Sequence, residues 1–246
     1  MSTLARIWRH PIKGIGAEEL GEVTLAPGLP VPGDRAYAVL TGTAEDTGAW
    51  QPCRNFARGC YGPELMAITA HTDADGRITL RHPARPELTI DPATDGAALI
   101  DWLTPIYPPE RPAPHTLIKA PEIGMADSST PATISVLGTA SLAALSEKAG
   151  QPLDQRRFRG NLWIDGLAPF EELSLVGRTL RIGDAELEFH KRIERCRATE
   201  ANPDTGTRDV DTLRHLREGW GHTDFGITAL VRKPGRIAPG MEVTVV

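Results

Sequence analysis

Residues 4–40, LARIWRHPIKGIGAEELGEVTLAPGLPVPGDRAYAVL, decide the fold class. Leu4 to Trp8, Glu22 to Leu25 and Ala36 to Leu40 read as short strands, separated by Gly14-Ile-Gly16, Pro27-Gly28 and Pro32-Gly33. Glycine supplies positive φ and proline fixes φ for a turn, so the breaks reverse the chain and do not continue it. Short strands joined in this way predict a meander or partial barrel. Outward from this stretch, Met66 to His71, Arg77 to His82 and Leu88 to Ile90 alternate like hairpin strands, with Asp75-Gly76 as a favoured two-residue turn. Thr133 to Leu137, Leu162 to Ile164, Thr179 to Ile182, Ala185 to Phe189, Gly226 to Val231 and Met241 to Val246 add further strands.

Helical signals are few. Ala97 to Leu103 reads as a short helix, Thr139 or Ser141 caps a second with Leu142, Leu145 and Ala149 on one face, and Asp211 caps a third carrying Leu213 and Leu216. The fold class is therefore mainly β (α+β), a β-rich chain with a few short helices. Residues 41–62 are polar and glycine-rich, a long loop that carries Trp50, Cys53, Phe56 and Cys60. Residues 104–121 hold Pro105, Pro108, Pro109, Pro112, Pro114 and Pro121, a density that neither a helix nor a central strand accepts. That segment reads as the link between two halves, residues 1–118 and 119–246.

The chain of 246 residues is 40% hydrophobic with a net charge of −5, the balance of a soluble globular protein. An acidic chain is no general nucleic-acid binder, because those carry a basic excess that neutralises phosphates. Cys53, Cys60 and Cys196 are odd in number and widely spaced, which fits neither a disulfide framework nor a four-cysteine zinc site. The N-terminus has no signal-peptide core, and no run of about 18 apolar residues appears. The reading is cytoplasmic, with no membrane and no nucleic-acid partner.

Chemistry concentrates in residues 188–211, EFHKRIERCRATEANPDTGTRDVD. A strand-like run passes through His190, Lys191, Arg192, Arg195 and Arg197, and among these cations sits Cys196. Neighbouring Arg and Lys favour the thiolate, the nucleophilic and metal-ligating form. Asn202-Pro203-Asp204-Thr205-Gly206 then forms a tight turn. A free cysteine is also commonly a small buried hydrophobe, and a charge run is commonly a solvated face.

Four features fall at strand ends and converge if the strands close into a barrel: Lys13 with Arg35, Ser128-Ser129-Thr130, Arg159 with Asn161, and Arg195-Cys196. Cations, hydroxyls and an amide suit a phosphate-bearing ligand, with the thiolate as the reactive element. The phosphate loop of nucleotide-binding proteins and the serine-hydrolase elbow are missing, and Gly14-Ile-Gly16 has Glu19 where a dinucleotide fingerprint needs its third glycine. His190 leaves a Cys-His nucleophilic pair open.

These motifs resemble a known family. His10-Pro-Ile-Lys13-Gly, Gly33-Asp34-Arg35, Asp127-Ser-Ser-Thr-Pro131, Phe158-Arg-Gly-Asn161, Arg195-Cys196 with Asn202-Pro-Asp-Thr-Gly206, and Phe225-Gly226 with Gly235-Arg-Ile-Ala-Pro-Gly240 run in the order of the MOSC domains, named after the C-terminal part of molybdenum-cofactor sulfurase. The resemblance is to the branch with a β-barrel-like N-terminal region, which includes the mitochondrial amidoxime-reducing component and its bacterial relatives. It implies an N-terminal MOSC β-barrel-like domain over 1–118 and a MOSC domain over 119–246. It further implies a molybdenum cofactor (Mo-molybdopterin) with Cys196 as the catalytic protein ligand to the metal. Lys13, Arg35, Arg159, Asn161, Arg195 and the hydroxyls of Ser128, Ser129 and Thr130 would hold the pterin and its phosphate. The implied activity is two-electron reduction of small N-hydroxylated or related N-oxygenated substrates. Three scattered cysteines cannot supply the four thiolates of an iron–sulfur cluster, so electrons would come from a separate ferredoxin- or cytochrome-type donor protein. Relatives often carry Ser after the lysine where this chain has Gly14. Two other readings stand beside the oxidoreductase: a molybdenum-cofactor or persulfide carrier without its own turnover, and an anion-binding domain with a structural cysteine.

Overall fold

The structure, a computed structural model, describes residues 1–126 and 132–246. Its first part contains β1 (Ser2–Arg9), β2 (Glu18–Leu20), β3 (Val23–Leu25), β4 (Tyr37–Thr41), β5 (Thr69–Thr72), β6 (Ile78–His82), β7 (Arg85–Ile90), helix α1 (Gly96–Leu103) and β8 (Pro114–Lys119). Next come β9 (Ile134–Gly138), α2 (Thr139–Ala149), β10 (Leu162–Asp165), β11 (Thr179–Ile182) and β12 (Ala185–Glu194). The chain closes with α3 (Thr212–Trp220), β13 (Asp224–Lys233), β14 (Gly235–Ile237) and β15 (Glu242–Val245). No described helix is long and apolar enough to cross a membrane.

Seven strands close into a barrel in the order β10-β9-β13-β12-β11-β15-β1, with β1 pairing back onto β10 and β2 added outside β1. The mainly β class holds, and the first strand of the chain completes a ring built from the last ones. β9 and β10 run parallel, joined by α2, because parallel neighbours need a crossover. Alternation places Leu4, Ile7, Val136, Leu162, Leu187, Phe189, Ile227 and Val231 inside the barrel. A second core of Ile12, Ile15, Val39, Leu65, Leu80, Leu99 and Trp102 lies under the β5-β6-β7 sheet and α1. A third packs α2 and α3 on the barrel wall, where Phe158 stacks on Phe225 at 4.1 Å.

Two local readings differ from the sequence expectation. The proline-dense link ends in a true strand, since β8 pairs antiparallel with β4 from Tyr37↔Lys119 to Thr41↔Pro114. Its one strand proline stands at the first position, where a missing N–H costs little. Helix α2 starts from Gly138 with no side-chain cap, because the Ser141 hydroxyl donates to the buried Glu172 carboxyl (2.8 Å). Asp211 does cap α3, accepting from the Arg214 N–H at 2.9 Å.

Candidate functional site

At one end of the barrel is a cavity of about 480 Å³, lined by Lys13, Arg35, Arg159, Asn161, Arg195 and Cys196 among others. Six of the expected site residues thus converge on it. Ser128, Ser129 and Thr130 lie outside the described residues. Among the described lining residues are eight cations, which add Arg58, Arg157, Lys191 and Arg192, and one carboxylate, Glu194. In a chain of net charge −5 this is a focused positive site.

Strand β12 delivers the thiol. It is a core strand as far as Phe189, and its pairing with β13 then shifts register between Phe189 and Lys191 and again between Arg192 and Glu194. Bulges break side-chain alternation and re-aim residues. As a result Lys191 to Cys196 line the cavity without a gap. Cys196 is exposed, in extended conformation, and its carbonyl accepts from the Thr199 N–H (3.2 Å) and Oγ1 (3.1 Å) as the chain enters a short 3-10 turn. The turn beyond is fixed as expected: Asn202 Oδ1 accepts from the Asp204 N–H at 2.8 Å, and Gly206 takes φ of 72°.

Arg35 and Arg159 are cavity residues with left-handed backbones, at φ of 52° and 47°. Such strain on a non-glycine residue persists only where surroundings over-determine it, and it clusters at functional sites. Here Arg35 holds the segment of Arg159, and Arg159 holds residues 12–16. Arg35 Nη2 donates to the Arg159 carbonyl (3.1 Å), and Arg159 donates to the carbonyls of Gly16 (2.9 Å) and Ile12 (3.3 Å). Beneath Arg35 lies buried Asp34, which also accepts from the His10 N–H at 2.8 Å. Burial alone would raise the Asp34 carboxyl, but the Arg35 guanidinium and the His10 hydrogen bonds outweigh it and hold it well below the usual carboxylate range. Burial first, then Arg159 and Arg35, push His10 down to about 3, against the raising influence of Asp34. His10 is therefore neutral at physiological pH, and its 3.4 Å approach to Asp34 is not an ion pair.

Other lining groups are braces. Arg195 donates through Nη1 to the Phe158 carbonyl (2.8 Å) and through Nε to that of Phe225 (2.7 Å), tying the strand before Cys196 to both. Buried Arg157 donates to the Glu200 carbonyl (3.1 Å) and pairs with Asp209 (2.8 Å). The Asn161 amide accepts from Ser135 Oγ (2.8 Å) and donates to the Trp8 carbonyl (3.1 Å), stitching β9 to β1. Lys13 is 4% exposed. Its neighbour Gly14 has φ of 74°, and a Cβ there would stand 2.7 Å from the Ala57 carbonyl oxygen. A serine does not fit at that position, which accounts for the glycine.

The opposite wall holds what sequence reasoning missed: Arg58, Gly59, Cys60 and Met66. The Arg58 guanidinium sits 4.5 Å from the Tyr61 ring centroid, and Cys60 lines the cavity together with Cys196. The neighbouring Cys196, followed by burial, pushes the Cys60 thiol above its ordinary range against the pull of Arg58. Only the long loop's cysteines hinted at this, and nothing local linked Cys60 to Cys196. Among the described residues no group of three or more His, Cys, Asp or Glu side chains is placed to hold a metal.

A closed barrel with a basic, thiol-bearing cavity at one end defines the class of domain. Residues 127–244 match the family model of the MOSC domain, and residues 1–101 match that of the MOSC N-terminal beta barrel domain. The chain belongs to the MOSC family, which is linked to molybdenum-cofactor binding and to molybdenum-cofactor enzymes. It is 42% identical over 72 residues to Molybdenum cofactor sulfurase 2 of Culex quinquefasciatus, a match covering 29% of this chain and 9% of that protein. Among solved structures, the YUAD protein from Bacillus subtilis aligns over 100% of this chain and 96% of its own, at 15% identity and a TM-score of 0.49. YiiM from Geobacillus stearothermophilus aligns over 46% of this chain and 53% of its own, at 19% identity and a TM-score of 0.35.

Proposed function

We propose that the cavity binds a molybdenum cofactor and that the protein is an oxidoreductase reducing N-hydroxylated or related N-oxygenated compounds. Cys196 would be the metal ligand, and electrons would come from a separate ferredoxin- or cytochrome-type donor. The observation that carries this reading is an exposed thiol at a cavity where, among the described residues, lining cations outnumber carboxylates eight to one. The residues present fit such a group. Soft thiolate suits a molybdenum centre, and arginine forks suit a phosphate.

Lys13, Arg35 and Arg159 would take the phosphate. The two guanidinium groups are already fixed by carbonyl bonds, so little ordering cost falls on binding. Arg195 and Arg157 act one step back, holding the segments that present Cys196. Bound here, the cofactor would supply the two-electron redox centre. The chain's own residues orient it, keep the site positive and leave the thiol side open to substrate.

Protein made in a host able to synthesise the cofactor should carry near-stoichiometric molybdenum, with a visible spectrum that changes in Cys196→Ser. Finding neither metal nor pterin would sink the reading. Metal without turnover of any hydroxylamine or amidoxime, with reduced ferredoxin- and cytochrome-type donors supplied, would sink its catalytic half. A second reading, a sulfur or cofactor carrier, is favoured by one observation: a second thiol, Cys60, lines the same cavity as Cys196, where it could discharge a persulfide. It predicts sulfane sulfur on Cys196 that is lost on thiol reduction.

A further inference from the structure

Cys60 and Cys196 come from opposite walls of the cavity, and several contacts hold them together. A Cβ on Gly59 would lie 2.4 Å from Met66 Sδ and 3.5 Å from the Ala198 Cβ, so the backbone beside Cys60 packs directly against the turn that follows Cys196. Arg208, from the far end of that turn, donates to the Cys60 carbonyl at 2.8 Å. Gly206 presses on the next part of the loop, since a Cβ there would stand 2.6 Å from the Glu64 Cα. Between these anchors Cys60 and Cys196 line the same cavity. Cys196 is exposed and Cys60 half-buried. An accessible sulfur among cations with a second thiol on the same cavity is the arrangement of an attacking and a resolving cysteine.

We propose that Cys60 and Cys196 form an oxidisable dithiol which a hydroperoxide closes to a disulfide, withdrawing Cys196 from the cofactor. The Cys196 thiolate attacks the peroxide, the O–O bond breaks, and a sulfenic acid forms on Cys196 with release of hydroxide or alkoxide. The Cys60 sulfur then attacks the sulfenic sulfur, the S–O bond breaks, and water leaves. The two sulfurs together give up two electrons, the peroxide accepts both, and the two thiol protons end in water or alcohol. The bond formed needs a tight approach of the sulfurs and a near-perpendicular dihedral. The flanking contacts keep the two backbones in place while the side chains rotate into it. Dithiothreitol reverses the change by exchange. The second half of the inference, competition with the cofactor, rests on the function proposed above.

The test uses the full chain from a host that does not make the cofactor, reduced, desalted and treated with hydrogen peroxide, then alkylated, digested and read by mass spectrometry. The expected product is a Cys60–Cys196 cross-linked peptide, with alkylation lost at both residues, retained at Cys53 and restored by dithiothreitol. In Cys60→Ser, with an unchanged circular dichroism spectrum, the cross-link should vanish and Cys196 should go on to sulfinic acid. Folded wild-type protein that keeps both thiols alkylatable, or links Cys53 instead, overturns the proposal. In a second arm, oxidised and reduced protein are offered the cofactor, and bound molybdenum is measured. Loss of uptake on oxidation, recovered by dithiothreitol, supports the competition, and equal uptake overturns it. If reduced protein takes up no cofactor, the proposed function fails while the mass-spectrometric result still decides the dithiol.

Discussion

The two walls of the cavity are built by different means. On the barrel side, charged side chains cross-link backbone: Arg195 joins the Phe158 and Phe225 carbonyls, and Arg157 joins Glu200 to Asp209. At Gly14 and Gly59 the other side adds a steric fit, with Gly14 against Ala57 and Arg58 and Gly59 against Met66. Arginines that look alike in sequence therefore divide into those that build the wall and those that face its contents. The braced wall should fail through unpaired polar groups, and the glycine wall through added volume.

Breaking the braced wall gives the largest expected effect. Arg195→Met leaves the Phe158 and Phe225 carbonyls without their charged donor and should lower unfolding stability by about 4 kcal/mol. Guanidinium chloride denaturation reads it, and a loss below about 1 kcal/mol would show the brace to be dispensable.

The second prediction concerns acid. His10 has a folded pKa of about 3 against an ordinary 6.5, so the unfolded chain binds the extra proton between those values. Stability from this group is complete above about pH 6.5 and falls with pH until about 3, amounting to about 3 kcal/mol lost by pH 4. Asp34, depressed, loses its own contribution only below the usual carboxylate range. His10→Gln should flatten the stability profile between pH 6.5 and 4, and an unchanged slope would contradict the assignment.

The glycine wall supplies the third test. Gly14→Ala adds a left-handed penalty and a clash with the Ala57 oxygen, for a combined cost of about 2 kcal/mol. Displacement of the Arg58–Cys60 segment should accompany it, seen as altered alkylation of Cys60. The smallest effect sits where the walls meet. Arg159→Gly should be about 1 kcal/mol more stable than Arg159→Ala, because glycine accepts the left-handed backbone. Both variants lose the same side chain, so their cofactor uptake should fall alike.

Local signals carried most of the fold. Short alternating runs gave the strands, Asp211 gave a cap, and Asn202 to Gly206 gave a turn, because each is decided by neighbouring residues. The strand β8 was hidden by prolines that crowd before it, and the short β2 has too few residues to show a period. In the site, Lys13, Arg35, Arg159, Asn161, Arg195 and Cys196 could be gathered by residue chemistry and family motifs. The same reading could not tell Arg195 as a brace, since its partners are backbone carbonyls that any sequence would provide. Nor could it place Cys60, whose neighbour is set by how a long loop crosses a distant turn.

The bonds that fix Arg35 and Arg159 join residues 124 and 143 positions apart, so neither arginine is oriented until both ends of that span have folded together. During synthesis the N-terminal strands emerge long before the strand that leads to Cys196. A ligand that requires this pair therefore has nothing to bind on a nascent or half-folded chain. On the proposed function, loading becomes an event of the folded protein, and a chain stalled before closure of the barrel would leave the ribosome unable to sequester the cofactor.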